Sequence, residues 1–336
     1  MQWQLVFVFG ILAWGTSSIK ESISDQQPAN PKSIYRFQLK VIKMNPNLFI
    51  VGAAKCGTTT VAHWLSRHPE IHFSPIKEPH YFYPYDGRKQ DLRAYESLFK
   101  CNQELVKYRA EGSVYYMTSP EALRSIKAKY PDAKCLVCLR NPVEQVVSLY
   151  YQKRNTGNEV AKTFEEAWRL SELREQGTYA RLIGKNLYTE NWSYKKVGRL
   201  GEQIKSVLEI FGKANIHFVF LDDIKASPNH VWNSILEFLD VKKIELEDAT
   251  NRNPATVPKS LFLQKLRFVL AKLKSRFGIR KNFGVNSFLG KINTTASYEK
   301  PTQEMVHELT SHFQKDIEII EKLTNRDLSS WKNNRS

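Results

Sequence analysis

The stretch "LFIVGAAKCGTTTVAHWL", residues 48–65, constrains this chain more than any other. An apolar run from Leu48 to Val51 meets Gly52, and a helical pattern follows with Val61, Trp64, Leu65 and His68 on one face. A strand that passes through glycine into a helix resembles a phosphate-binding loop, because the first N–H groups of the helix face the turn. A nucleoside triphosphate loop reads G-x-x-x-x-G-K-[ST], with its lysine after the second glycine. Here Thr58 follows Gly57, and Lys55 sits inside the loop. The turn therefore suits an anion other than a metal-bridged triphosphate.

From Asn47 onward, strand and helix patterns alternate. Strands are expected at 71–74 ("IHFS"), 108–113 ("YRAEGS"), 134–140 ("KCLVCLR") and 215–221 ("NIHFVFL"). Helices are expected at 119–130, where Ser119 caps and Pro120 takes the first position, and at 142–154, 163–175, 200–211 and 228–239. This order predicts an α/β fold, a P-loop-like parallel sheet flanked by helices, in a single domain over 44–332. Ligands of such sheets bind at the carboxyl ends of the strands, where Gly52 and Arg140 both fall.

Residues 1–43 read two ways. The apolar run "LVFVFGILAW" followed by Gly15 to Ser18 resembles a signal peptide, yet "MQWQ" before it carries no positive side chain. As a signal or anchor it implies a secretory lumen or membrane association, and as a dispensable extension it implies the cytoplasm. The sequons at Asn191, Asn293 and Asn334 matter only in the first case.

A net charge of +16 calls for an acidic partner. Zinc-finger spacing and Gly/aromatic RNA-binding motifs are both missing, so the sequence gives no sign of specific nucleic-acid recognition. The segment Ala249 to Tyr298 has ten Lys or Arg and no Asp or Glu, and "LFLQKLRFVLAKLKSRF" within it has an amphipathic helical pattern. Its plainest reading is a helix with a solvated basic face. Cys135 and Cys138 lie on opposite faces of one strand, which speaks against a disulfide or metal site despite the C-x-x-C spelling.

Three constellations carry chemistry. In the first, Lys55, Cys56, Gly57, Thr58, Thr59 and Thr60 gather backbone N–H groups, hydroxyls and a positive charge around an anion. The second is "CLRNPVEQVVSLYYQKR", where Arg140 ends a strand and Ser148 lies about two turns into the next helix. The third is "SPIKEPHYFY", with Lys77, Glu78 and His80. Glu78 and His80 compete there as general base, and Glu78 needs an apolar or charge-modulated setting for that role. Lys77 reads as solvated or substrate-facing.

The first two constellations resemble the nucleotide-binding motifs of sulfotransferases that use 3′-phosphoadenosine 5′-phosphosulfate (PAPS). The pattern "KEPHYF … AEGSVYYM … LRNPVEQVVSLYY" is most similar to carbohydrate sulfotransferases of the heparan-sulfate type and their bacterial relatives. The resemblance implies the sulfotransferase fold, PAPS as donor without a metal, and a hydroxylated acceptor such as a glycan. It implies that residues 55–60 hold the 5′-phosphosulfate, that Arg140 and Ser148 hold the 3′-phosphate, and that Glu78 is the base. Two departures stand out. Gly112 occupies the place of a lysine found in animal heparan-type enzymes, and residues 265–291 offer no counterpart to their nucleotide-closing K-G-R stretch. A kinase-like P-loop phosphotransferase and a non-catalytic glycan-binding protein on the same scaffold remain as rivals. The first lacks its Lys-[ST] pair; the second draws on Gly112 and the acid-free segment.

Overall fold

Five parallel strands form the frame: β1 (Leu48–Gly52), β2 (Ile71–Phe73), β3 (Tyr108–Gly112), β4 (Lys134–Leu139) and β5 (Ile216–Phe220), in the order β2-β3-β1-β4-β5. The computed structural model describes residues 45–83, 91–101, 105–156, 158–176, 193–247, 257–258, 294–295 and 300–332. The chain moves from β1 to one side of the sheet for β2 and β3, then crosses to the other for β4 and β5. That reversal makes β1 the switch point, and the ligands of such sheets bind beyond its carboxyl end.

Strands covered by helices on both faces need apolar side chains on both. Accordingly, every residue of β1 is buried, and so are Cys135 to Leu139 in β4. The edge strands β2 and β5 alternate less strictly and carry half-buried His72 and His217. Cys56, Cys101, Cys135 and Cys138 are all free thiols.

The helices, in chain order, are α1 (Thr58–Leu65), α2 (Leu92–Ser97), α3 (Pro120–Lys129), α4 (Pro142–Asn155), α5 (Phe164–Arg169), α6 (Ser171–Glu175), α7 (Tyr194–Val197), α8 (Leu200–Phe211), α9 (Leu221–Ala226), α10 (Pro228–Leu239), α11 (Gln303–Thr324) and α12 (Ser329–Lys332). Ser119 accepts a hydrogen bond from the Ala122 amide, and Asn141 accepts one from Val143, so the caps fix where α3 and α4 begin. The helix expected over 163–175 is two helices that meet at Leu170. His68, expected on the face of α1, lies beyond its end; it is buried, with Nε2 2.8 Å from the Lys242 carbonyl. The sequence reading passes over α11, although Met305, Leu309, Phe313, Ile317 and Ile320 form its buried stripe.

A second core lies beside the sheet, where Val146 and Tyr150 of α4 meet Phe164, Trp168, Tyr194 and Phe313. Within this lobe Arg174 and Glu159 form a fully buried, doubly bonded ion pair, with both N–H···O distances 2.7 Å. The Tyr194 hydroxyl and the Ala161 amide also donate to Glu159, at 2.7 and 2.9 Å. Burial pushes the Glu159 carboxyl up, but the Arg174 bond and charge outweigh it and hold the group below its usual range.

Residues 1–43, the three sequon asparagines, the amphipathic run 261–277 and the stretch 265–291 all lie outside the described residues. Among the described residues, no helix is long and apolar enough to cross a membrane.

Candidate active site

The β1–α1 turn lies at the switch point of the sheet. The Ala53 amide donates to the Cys138 carbonyl at 2.8 Å, which ties the start of the turn to β4. Gly52 packs so closely that a Cβ there would lie 2.9 Å from Met117 Cβ and from the Val114 carbonyl. Gly57 caps α1 in the left-handed conformation, with φ of 87°, and a side chain would press on Leu221 and Ile224 of α9. No side chain caps the first turn of α1, and no acidic residue lies in it. Its amides therefore present partial positive charge to the space in front of the helix. Thr58 and Thr60 are buried and Thr59 is half-buried. Cys56 is buried with its thiol on the Ala54 carbonyl, and burial raises its pKa far above the ordinary range, so it is not a nucleophile.

Lys55 and Arg140 meet at this turn. Arg140 follows β4 directly, and its Nη1 donates to the Lys55 carbonyl at 3.4 Å. Burial and then the Arg140 charge lower the Lys55 pKa, while the Glu78 charge acts the other way. A lysine destabilised as an ammonium beside a guanidinium is a place where a bound anion restores balance. Glu144, one helical turn further, accepts from Arg140 Nε and Nη2 at 3.0 and 2.7 Å. Gln145, fully buried, donates to the Ala54 carbonyl at 3.2 Å and clamps α4 to the turn. Ser148 is buried on α4, in the middle of the same helix.

The third constellation lies past β2. Glu78 donates its amide to the Gly112 carbonyl at 3.0 Å, which sets the loop beside the end of β3. Glu78 Oε1 accepts from Lys77 Nζ at 3.0 Å, and Oε2 lies 3.1 Å from His80 Nε2. Lys77 is thus an ion-pair partner of Glu78 rather than a solvated side chain. His80 is buried and stacks on Tyr115 at 5.6 Å between centroids. Lys55, Glu78 and His80 all have positive φ, at 66°, 70° and 52°. Such backbone costs about 1–3 kcal/mol per residue and persists only where surrounding contacts impose it. Burial raises the Glu78 pKa, yet the His80 hydrogen bond and the Lys77 charge outweigh it, so the carboxyl titrates below its ordinary value. The setting expected to strengthen Glu78 as a base would raise its pKa; its two partners, Lys77 and His80, instead lower it and keep it ionised.

A sequence model described as "Sulfotransferase domain" matches residues 45–317. The chain belongs to the sulfotransferase family. It is 24% identical over 305 residues to the membrane-associated sulfotransferase kil1 of Dictyostelium discoideum, covering 70% of this chain and 64% of that protein. Over 205 residues it is 25% identical to human heparan sulfate glucosamine 3-O-sulfotransferase 6, covering 59% of this chain and 53% of the relative. The chain thus spans about half to two thirds of the length of these two relatives. A solved sulfotransferase from Alicyclobacillus acidocaldarius superposes with a TM-score of 0.61 at 26% identity, covering 86% of this chain and 99% of the other. These matches agree with the fold class and family expected from the sequence.

Within this sulfotransferase domain, several residues that shape the site escape a reading of the sequence. Glu144 is legible in principle, four residues after Arg140 on a helix. Gln145, and the Ser113 and Tyr116 hydroxyls that accept from the His80 and Phe82 amides, act across long sequence separations, so no local pattern reveals them. Among the described residues, no group of three or more His, Cys, Asp or Glu could hold a metal ion.

Proposed function

We propose that this protein transfers a sulfuryl group from PAPS to a hydroxyl of a carbohydrate. The observation that carries the reading is the meeting of Lys55 and Arg140 at an uncapped helix start. PAPS supplies the sulfuryl group and a leaving phosphate. The amides and hydroxyls of Gly57 to Thr60 hold the 5′-phosphosulfate, and Lys55 neutralises the phosphate oxygen that departs. Arg140 and Ser148 hold the 3′-phosphate and so distinguish this donor from ATP. The family membership and the carbohydrate sulfotransferases among the relatives support the choice of donor and acceptor.

The acceptor oxygen attacks sulfur as the sulfur–oxygen bond to the phosphate breaks, and the hydroxyl proton passes to Glu78. A carboxylate of lowered pKa is a weak base toward a free alcohol. It suffices late in the attack, because an oxygen already bonding to sulfur has become acidic. Lys77 and His80 each hold one oxygen of the carboxylate in place. Positioning and electrostatics then supply most of the catalysis, as in phosphoryl transfer.

Incubation of the full chain with sulfur-labelled PAPS and a panel of desulfated heparan, chondroitin and neutral oligosaccharides tests this. Label in at least one glycan, with no metal added, is the expected result. Transfer of the γ-phosphoryl group of ATP, with none from PAPS, would overturn the reading in favour of a kinase-like enzyme.

A further inference from the structure

Glu111 is a fully buried carboxylate at the end of β3, next to the catalytic loop, and takes no part in the steps above. Three hydroxyls converge on it. Ser113 Oγ donates to Oε2 at 2.7 Å, while Tyr116 and Tyr95 donate to Oε1 at 2.9 and 3.0 Å. Two of the three continue to the loop, since the His80 amide donates to Ser113 Oγ at 3.0 Å and the Phe82 amide to the Tyr116 hydroxyl at 3.4 Å.

A hydroxyl has a single proton to give, and a backbone amide can only donate. Ser113 and Tyr116 can accept from the loop and still satisfy Glu111 only if both of their protons point at the carboxylate. An acceptor-only carboxylate enforces that orientation. We propose that Glu111 is a positioning residue: by fixing the direction of the Ser113 and Tyr116 hydroxyls, it holds the 78–82 loop in the left-handed backbone that presents Glu78.

The left-handed φ at Glu78 and His80 gives the device a purpose, because such backbone needs outside restraint. Burial raises the Glu111 pKa, and the three hydroxyl bonds act against that rise. The proposal rests on the sulfotransferase reading only where it calls the loop catalytic. The hydrogen-bond logic holds without it.

Glu111→Gln is nearly isosteric and tests the idea. One oxygen becomes an N–H₂ donor. On the Oε2 side it faces Ser113, and on the Oε1 side it faces Tyr116, so either orientation turns the proton of a loop-holding hydroxyl away from residue 111 and towards the side where the loop amide donates. Tyr95→Phe removes a donor to the same carboxylate but no bond to the loop, and Ser113→Ala removes the link to His80 alone. In NMR hydrogen exchange, the His80 and Phe82 amides of Glu111→Gln should exchange on the order of tenfold faster than in the unmodified protein. Ser113→Ala should accelerate His80, and Tyr95→Phe should change neither. Calorimetry should find the affinity for 3′-phosphoadenosine 5′-phosphate unchanged in all three. If Glu111→Gln and Tyr95→Phe alter loop exchange alike, or Glu111→Gln leaves it unaltered, Glu111 is a packing residue and the proposal falls. Should Glu111→Gln not fold, Glu111→Asp, which keeps a carboxylate but withdraws it from the Ser113 and Tyr116 hydroxyls, is compared with Tyr95→Phe on the same criterion.

Discussion

Glu78→Gln is expected to lower turnover by about 10²–10⁴-fold, the range spanned by loss of a general base. The amide keeps the shape of the side chain and can still accept from Lys77 or His80, so donor affinity should stay within about twofold. Turnover should therefore fall without a matching change in donor binding, as for an interaction made in the transition state. The pH profile supplies a second check. The Glu78 carboxyl titrates below its unfolded value of about 4.3, so its base function is intact above that pH and is lost as pH falls through the lower, folded value. Its contribution to stability follows the same direction. Rate profiles of the unmodified enzyme should show no acid limb attributable to Glu78 between about pH 5 and 7. A limb in that window that vanishes in His80→Gln but persists in Glu78→Gln would transfer the role of base to His80.

Arg174→Met should destabilise the fold by about 3–5 kcal/mol, because it leaves the Glu159 carboxylate buried without its partner. Replacing both residues with apolar groups, as in Arg174→Met with Glu159→Leu, should recover much of that loss, since no buried charge then remains. Beside the pair, burial and repulsion by Arg174, opposed by attraction to Glu159, push the Lys153 amine down to about 7. The ion pair ties the segment after α4 to α6, while the Tyr194 hydroxyl joins α7 to the same carboxylate. Denaturant unfolding of the single and double variants measures the difference directly. Equal stability of Arg174→Met and the unmodified protein would mean that Glu159 finds another partner or enters water.

The sequence reveals the frame of the site because each part of that frame is local. Strand, glycine turn and helix are contiguous from Leu48 to Leu65, and Pro142 with Asn141 marks the helix after Arg140 within a few residues. The α10 boundaries, Pro228–Leu239, coincide with those expected from the apolar spacing and the leading proline. Other features depend on what packs where. Nothing in "KEPHYF" announces left-handed backbone at Glu78 and His80, since neither is glycine or asparagine; the restraint comes from β3 and the turn after it. Glu111 lies in "AEGSVYY" only two residues from Ser113, yet its third donor, Tyr95, comes from α2 across the edge of the sheet. The break between α5 and α6 at Leu170 has no glycine or proline to signal it. Long α11 was legible from its apolar stripe, and its buried Asp316, which accepts from the amide of Gly201, interrupts that pattern with a polar residue.

The central claim is that the turn and Arg140 form a site for a nucleotide with a 3′-phosphate. Isothermal titration of the unmodified protein and of Arg140→Ala, with 3′-phosphoadenosine 5′-phosphate, adenosine 5′-phosphate and ATP, tests it most directly. The account predicts tight binding of the first ligand without metal, weaker binding by on the order of 100-fold when the 3′-phosphate is missing, and a similar loss in Arg140→Ala. Equal affinity with and without the 3′-phosphate, or preference for ATP with magnesium, would contradict it.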